Sequence, residues 1–117
     1  SFLNLYSVVQ YLQKSEKIVL ICSGTLGRFS IEDSMAAAAI IDLLAENNNL
    51  KSDDLGQSLL LAYRSKNGNL PELLKDGVHL NYLKSKGYGR DIDFCFQKNL
   101  FSILPFYDQQ KNTVFIK

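Results

Sequence analysis

Phe2, Leu5, Tyr6, Val9 and Leu12 recur at helical spacing, which predicts an amphipathic helix over residues 2–14. A short polar break, Ser15 to Lys17, then gives way to the uninterrupted apolar run Ile18-Val19-Leu20-Ile21-Cys22. That run is the pattern of a strand buried on both faces. Residues 23–30 read as a loop containing Gly24 and Gly27. Ser30 stands where a helix N-cap belongs, and Asp33 follows three positions on, an acidic variant of the capping box. Glu32 and Asp33 occupy the electropositive first turn of the helix so begun. The helix is predicted through Met35 and the alanine run Ala36 to Ala39 to about Glu46, with Asn47-Asn48-Asn49 ending it. The alanines permit close packing of the helix on a sheet.

Ser52 or Asp53 caps the next predicted helix, which reaches Ser65 through Leu55, Leu59, Ala62 and Tyr63. Lys66-Asn67-Gly68-Asn69 is a turn. Pro71 suits the first turn of a short helix, Pro71 to Asp76. Val78 to Ser85 reads as a further helix, broken by Gly87. The spacing of Ile92, Phe94 and Phe96 fits either a strand or a helix. Phe101 to Pro105 and Val114-Phe115-Ile116 are predicted strands. This order implies an α/β fold with a small, largely parallel sheet flanked by helices and a right-handed crossover. One domain over residues 1–117 is expected. The strands are few for this length, and a helical pattern begins at the first residue. Both features suggest a fragment, one half of a larger α/β enzyme.

Composition narrows the classes. The chain has 117 residues, a formal net charge of +1 and 21% charged side chains. There is no basic excess to mark a nucleic-acid footprint. The apolar runs fall far short of the ~18 residues a membrane helix needs. The N-terminal residues lack the basic segment and cleavage site of a secretory signal. Cys22 and Cys95 lie in apolar runs, so both are expected to be buried and reduced, which favours the cytoplasm.

The candidate chemistry lies after the first predicted strand. Strand, glycine-bearing loop and helix N-terminus together can hold an anion. Gly24 and Gly27 can take positive φ and let backbone N–H groups converge. Ser23, Thr25 and Ser30 offer hydroxyls, and Arg28 offers a planar fork for anionic oxygens. The plainer alternative is a capped helix after a tight turn, with Arg28 in solvent. No Lys-Ser/Thr pair follows the last glycine, so this is not a Walker loop.

Two mechanisms could act on a phosphate held there. Five residues separate Cys22 from Arg28, the spacing of cysteine-dependent phosphatases. A thiolate at a helix N-terminus could attack phosphorus. Alternatively, Cys22 simply ends a buried strand. The second mechanism uses Glu32 and Asp33 as Mg²⁺ ligands beside the anion. Only one of two helical neighbours easily points into a pocket, since they diverge by ~100°. Asp91 and Asp93 form a second acidic pair, on one side if their segment is a strand. His79, the single histidine, could move a proton or touch an anion. Solvated carboxylates and a partly buried structural histidine are the alternatives.

The run Val19-Leu20-Ile21-Cys22-Ser23-Gly24-Thr25-Leu26-Gly27-Arg28-Phe29-Ser30-Ile31-Glu32-Asp33-Ser34-Met35-Ala36-Ala37 resembles the 2-phosphosulfolactate phosphatases. Their strand leads to a Gly-x-x-Gly-Arg-Phe loop, then Glu-Asp and an alanine-rich helix. Asp53 to Tyr63, Val78-His79-Leu80, Lys86-Gly87-Tyr88, Asp91-Ile92-Asp93-Phe94-Cys95 and Ile103-Leu104-Pro105 are similar to later parts of the family. After the histidine the family tends to small or basic residues, whereas this chain has Leu80-Asn81.

The resemblance covers the C-terminal half of such enzymes. It implies Mg²⁺-dependent removal of phosphate from 2-phospho-3-sulfolactate, giving 3-sulfolactate. That step belongs to coenzyme M synthesis in some organisms and to sulfolactate formation in others. On this reading Ser23, Gly24, Thr25, Gly27 and Arg28 bind an anionic group of the substrate. Glu32 and Asp33 serve the metal and catalysis, and Cys22, His79, Asp91 and Asp93 are further candidates. The expected partners are the phosphorylated sulfonate and the missing N-terminal half, with a homo-oligomer left open. No nucleic acid and no membrane are expected. A cysteine-dependent phosphatase using Cys22 and Arg28 remains a rival reading. So does a non-catalytic anion-binding or oligomerising domain.

Overall fold

The structure, a computed structural model, describes residues 1–47 and 51–116. A 3-10 turn at Phe2–Asn4 leads into α1 (Leu5–Leu12). The apolar stripe of the sequence becomes the buried side of these two elements, with Phe2, Leu5 and Val9 in the core. The longest helix, α2 (Ile31–Asn47), follows. Asn48 and Asn49, two of the three asparagines expected to stop it, lie outside the described residues. Then come α3 (Asp54–Arg64), α4 (Leu70–Leu74), α5 (Val78–Ser85) and α6 (Gly89–Cys95). The hairpin strands β1 (Pro105–Asp108) and β2 (Thr113–Ile116) close the chain.

Side-chain caps account for three of the six α-helix starts among the described residues, those of α2, α3 and α4. Asp53 caps α3 by accepting from the Gly56 N–H at 2.8 Å. Asn69 accepts from the Glu72 N–H at 3.3 Å, and Pro71 stands in the first turn of α4. The ambiguous segment after Arg90 is helix α6, with Ile92 buried and Phe96 four residues on packed against the core. Asp91 and Asp93 therefore diverge around a helix instead of sharing a strand face.

The core lies between helices. α2 packs on α3, α1 and α4, and Leu44, Leu74 and Ala38 are almost fully shielded from solvent. The alanine run does allow close approach, but of helices rather than of a sheet.

The expected parallel sheet is not found among the described residues. The sheet is a two-stranded antiparallel hairpin pairing Pro105 with Ile116 and Asp108 with Thr113. It forms locally because Asp108 Oδ1 accepts from the Gln110 and Lys111 N–H groups at the turn. Residues 18–22, expected as a buried strand, have no strand partner among the described residues. A strand needs a neighbour for its peptide groups, and apolar composition does not supply one. The strand expected at 101–105 begins only at Pro105. Cys22 and Cys95, expected to be buried, are both exposed free thiols, for the same reason in the case of Cys22. No helix among the described residues is long and apolar enough to cross a membrane.

Candidate active site

The site is built around the start of α2. Ser30 is buried, and its Oγ accepts from the Asp33 N–H at 3.3 Å, the cap expected from the sequence. The same hydroxyl donates to Glu32 Oε2 at 2.9 Å. The Ser34 hydroxyl donates to the Ser30 carbonyl at 2.9 Å, anchoring the turn from inside. The Asp33 carboxylate does not reach back to Ser30. Its Oδ2 accepts from the Gly24 N–H at 2.7 Å, so it holds the preceding loop against the helix.

That loop is a tight reversal. The Thr25 N–H donates to the Arg28 carbonyl at 2.9 Å, and the Arg28 N–H returns to the Thr25 carbonyl at 3.0 Å. Leu26 and Gly27 between them both have positive φ, 51° and 72°, as a type I′ turn requires. Gly24 has φ 74°, and a Cβ there would lie 2.5 Å from the Arg28 carbonyl oxygen. Glycine is needed at that position for both reasons. The amides of Gly24, Thr25 and Arg28 are thus engaged within the loop and its helix. Those of Leu26 and Gly27 remain at the tip. The Arg28 side chain is exposed and forms no ion pair among the described residues.

Beside the helix start lies a cleft of about 440 Å³. Its walls come from the first residues of the chain and from α2, α5 and α6. Glu32, Asp33, His79 and Asp91, four of the residues singled out in the sequence, line it together. Phe2, Leu80, Leu83, Ile92 and Phe96 make the rest of the wall largely apolar. The half-buried His79 ring stacks on Tyr82, with centroids 6.4 Å apart. Cys22, Ser23, Gly24, Thr25, Gly27, Arg28 and Asp93 do not line the cleft. Asp33 connects the two places, since it lines the cleft and holds Gly24.

Tyr88 and Cys95 also line the cleft, and neither was a site candidate from the sequence. The signal was present: Tyr88, Asp91 and Cys95 fall at three- and four-residue spacing, hence on one helical face. It becomes visible only once the segment is known to be α6.

Asn4 Oδ1 and Glu32 Oε1 are buried side-chain oxygens without a hydrogen-bond partner among the described residues, and of the two residues Glu32 lines the cleft. Glu32 Oε2 is bonded to Ser30. A buried, unpaired carboxylate oxygen is costly unless something else satisfies it. Among the described residues no three His, Cys, Asp or Glu side chains converge into a ready-made metal cage. Mg²⁺ rarely needs one, since it is usually held by one or two carboxylates with water and substrate phosphate. Glu32 offers one carboxylate oxygen of that kind, and Asp91 is a second carboxylate lining the same cleft.

Residues 1–110 match the family model described as 2-phosphosulpholactate phosphatase. The chain belongs to the 2-phosphosulfolactate phosphatase family. Relatives in this family named "Probable 2-phosphosulfolactate phosphatase" are similar over most of the chain. That of Thermotoga maritima is 42% identical over 108 residues, 90% of this chain and 45% of the relative. The relative from Caldanaerobacter subterraneus subsp. tengcongensis is 38% identical over 104 residues, 88% of this chain and 43% of its own length. One from Clostridium perfringens strain SM101 is 38% identical over 105 residues, 89% of this chain and 42% of the relative. The chain therefore spans less than half the length of these 2-phosphosulfolactate phosphatase relatives.

Proposed function

We propose that this chain is the C-terminal half of a Mg²⁺-dependent phosphatase that hydrolyses 2-phospho-3-sulfolactate to 3-sulfolactate and phosphate. Family membership and the relatives' names support the reaction class and substrate. The observation in the chain itself that carries the reading is Glu32, which lines a cleft with Asp91 and His79 and whose Oε1 is buried without a hydrogen-bond partner among the described residues. The pathway setting, coenzyme M or sulfolactate formation, and a cytoplasmic location belong to the same reading.

Glu32 would hold the metal, with Asp91 as a second donor in the same cleft. When bound, Mg²⁺ supplies neutralisation of phosphate charge and lowers the pKa of coordinated water. Arg28 offers its fork to one anionic group of the substrate, and the tip amides of Leu26 and Gly27 add donors. Asp33 holds the base of that loop through Gly24, which keeps Ser23 and Thr25 in place around it. Hydrolysis places a proton on the leaving C2 oxygen, and His79 is the imidazole in the cleft that can carry it. The apolar wall limits water around the reacting group.

The test is phosphate release from 2-phosphosulfolactate by the enzyme with its N-terminal half restored, in Mg²⁺ and then in excess chelator. Release that stops with chelator and returns with added Mg²⁺ is expected. A folded enzyme that releases no phosphate in Mg²⁺ would remove the proposed substrate. Release that ignores chelator but stops on thiol alkylation, and is lost in Cys22→Ser but kept in Cys95→Ser, would transfer the chemistry to Cys22.

A further inference from the structure

Residues 18–22 are an apolar stretch that the fold covers on one side only. Ile18 and Leu20 pack against the core, whereas Val19 and Ile21 are 75% and 89% exposed. Burial thus alternates with period two, as along a strand with one face on a layer of helices. The backbone of residues 17–23 makes no hydrogen bond to other backbone among the described residues. A β-branched apolar segment with both edges open and two large side chains in water is a template for pairing. The hairpin does not supply the pair: among the described residues β1 and β2 are registered with one another and with no third strand.

We infer that Ile18–Cys22 is an interior strand of a sheet completed by the polypeptide that forms the other half of the family's length. That polypeptide adds a strand along each edge and an apolar layer over Val19 and Ile21. This rests on reading the chain as half of a longer enzyme, but not on the enzyme's chemistry. More than half of each matched relative lies outside the match, ample chain for both tasks. A second copy of this chain serves less well. Two copies of residues 18–22 can cover one edge of each other, which leaves the second edge and the outward face open. The inference also bears on the site. Cys22 runs directly into Ser23 and Gly24, so fixing the strand fixes the base of the Gly24–Arg28 loop.

The test is amide hydrogen exchange on the 117-residue chain, alone and co-expressed with the part of the Thermotoga maritima relative that lies outside the match. Amides of residues 18–22 are expected to exchange freely alone and at least about 100-fold more slowly in the complex. Ile21→Pro removes one backbone N–H from an edge of the strand and is expected to abolish co-purification while the helical circular dichroism of the chain persists. The pair Val19→Lys with Ile21→Lys keeps every N–H and is expected to weaken association at least about tenfold through the lost apolar face. Unchanged exchange at 18–22 in the complex overturns the inference, and so does failure of the two parts to associate. Protection that grows with concentration of the chain alone overturns it in favour of a second copy. Phosphate release is read separately. Protection without release removes the phosphatase reading and keeps the strand; release without protection removes the strand only.

Discussion

Asp33 Oδ2 accepts a hydrogen bond from the Gly24 N–H at 2.7 Å, nine positions earlier in the chain. One carboxylate thereby joins the first turn of α2, the anion-binding candidate loop and the cleft. It also distinguishes two acidic neighbours: Asp33 positions the loop, and Glu32 presents an unpaired oxygen. Asp33→Ala leaves the Gly24 donor without its acceptor and should cost about 1–3 kcal/mol in urea unfolding. Asp33→Asn keeps an acceptor oxygen and should cost less. An alanine variant as stable as wild type, with an unmoved Gly24 amide resonance, would contradict this role.

The two loop glycines should respond differently. Gly24→Ala meets the Arg28 carbonyl at 2.5 Å and also strains a positive φ. A loss of at least about 1 kcal/mol is expected. Gly27 has open space around its Cβ position and only its φ of 72° to satisfy. Asparagine tolerates that region, so Gly27→Asn should stay within about 0.5 kcal/mol of wild type. Equal effects in paired denaturation curves would mean that the close approach at Gly24 is wrong.

The core between helices makes its own demand. Leu74 is fully buried although α4 spans only Leu70–Leu74. Leu74→Ala should cost about 2–5 kcal/mol, the range for a cavity in a packed core. Leu61 on α3 is 71% exposed, and Leu61→Ala should stay within about 0.5 kcal/mol. Calorimetric melts of both variants compare the two positions directly.

Catalytic assignments are separable by three conservative changes in the restored enzyme. Glu32→Gln should lower kcat/KM at least about 100-fold and raise the Mg²⁺ concentration needed for half-maximal rate. Asp93→Asn, outside the cleft, should leave the rate within about twofold. Cys22→Ser should also keep activity. Loss of turnover in the serine variant with a normal Glu32→Gln enzyme would reverse the assignment.

Some of this was legible in the residues. Ser30, and Asp53 as one of two candidates with Ser52, cap their helices through side chains that reach three residues along the chain, whereas Asn69 reads as part of a turn and its cap emerges only in the structure. Such contacts need no knowledge of the rest of the fold. The glycine-bearing turn was legible for the same reason, since φ > 0 is a local demand. The apolar run 18–22 was read as a strand because its composition suits one, yet no partner is present among the described residues. The segment around Asp91 was ambiguous because six residues with alternate apolar positions satisfy either period.

The sequence by itself determined the helices other than α6, the Ser30 cap, the glycine-bearing loop and the set of side chains able to do chemistry. These depend on contacts within a few residues, where torsional preference and hydrogen bonding decide. Only the tertiary structure decided that Glu32, Asp33, His79 and Asp91 meet in one cleft while Arg28 and Asp93 lie outside it. Those outcomes depend on how α2, α5 and α6 pack across long stretches of chain. Packing also placed Ile18 and Leu20 inward and Val19 and Ile21 in solvent, because a strand acquires its second face only when another layer is there to cover it.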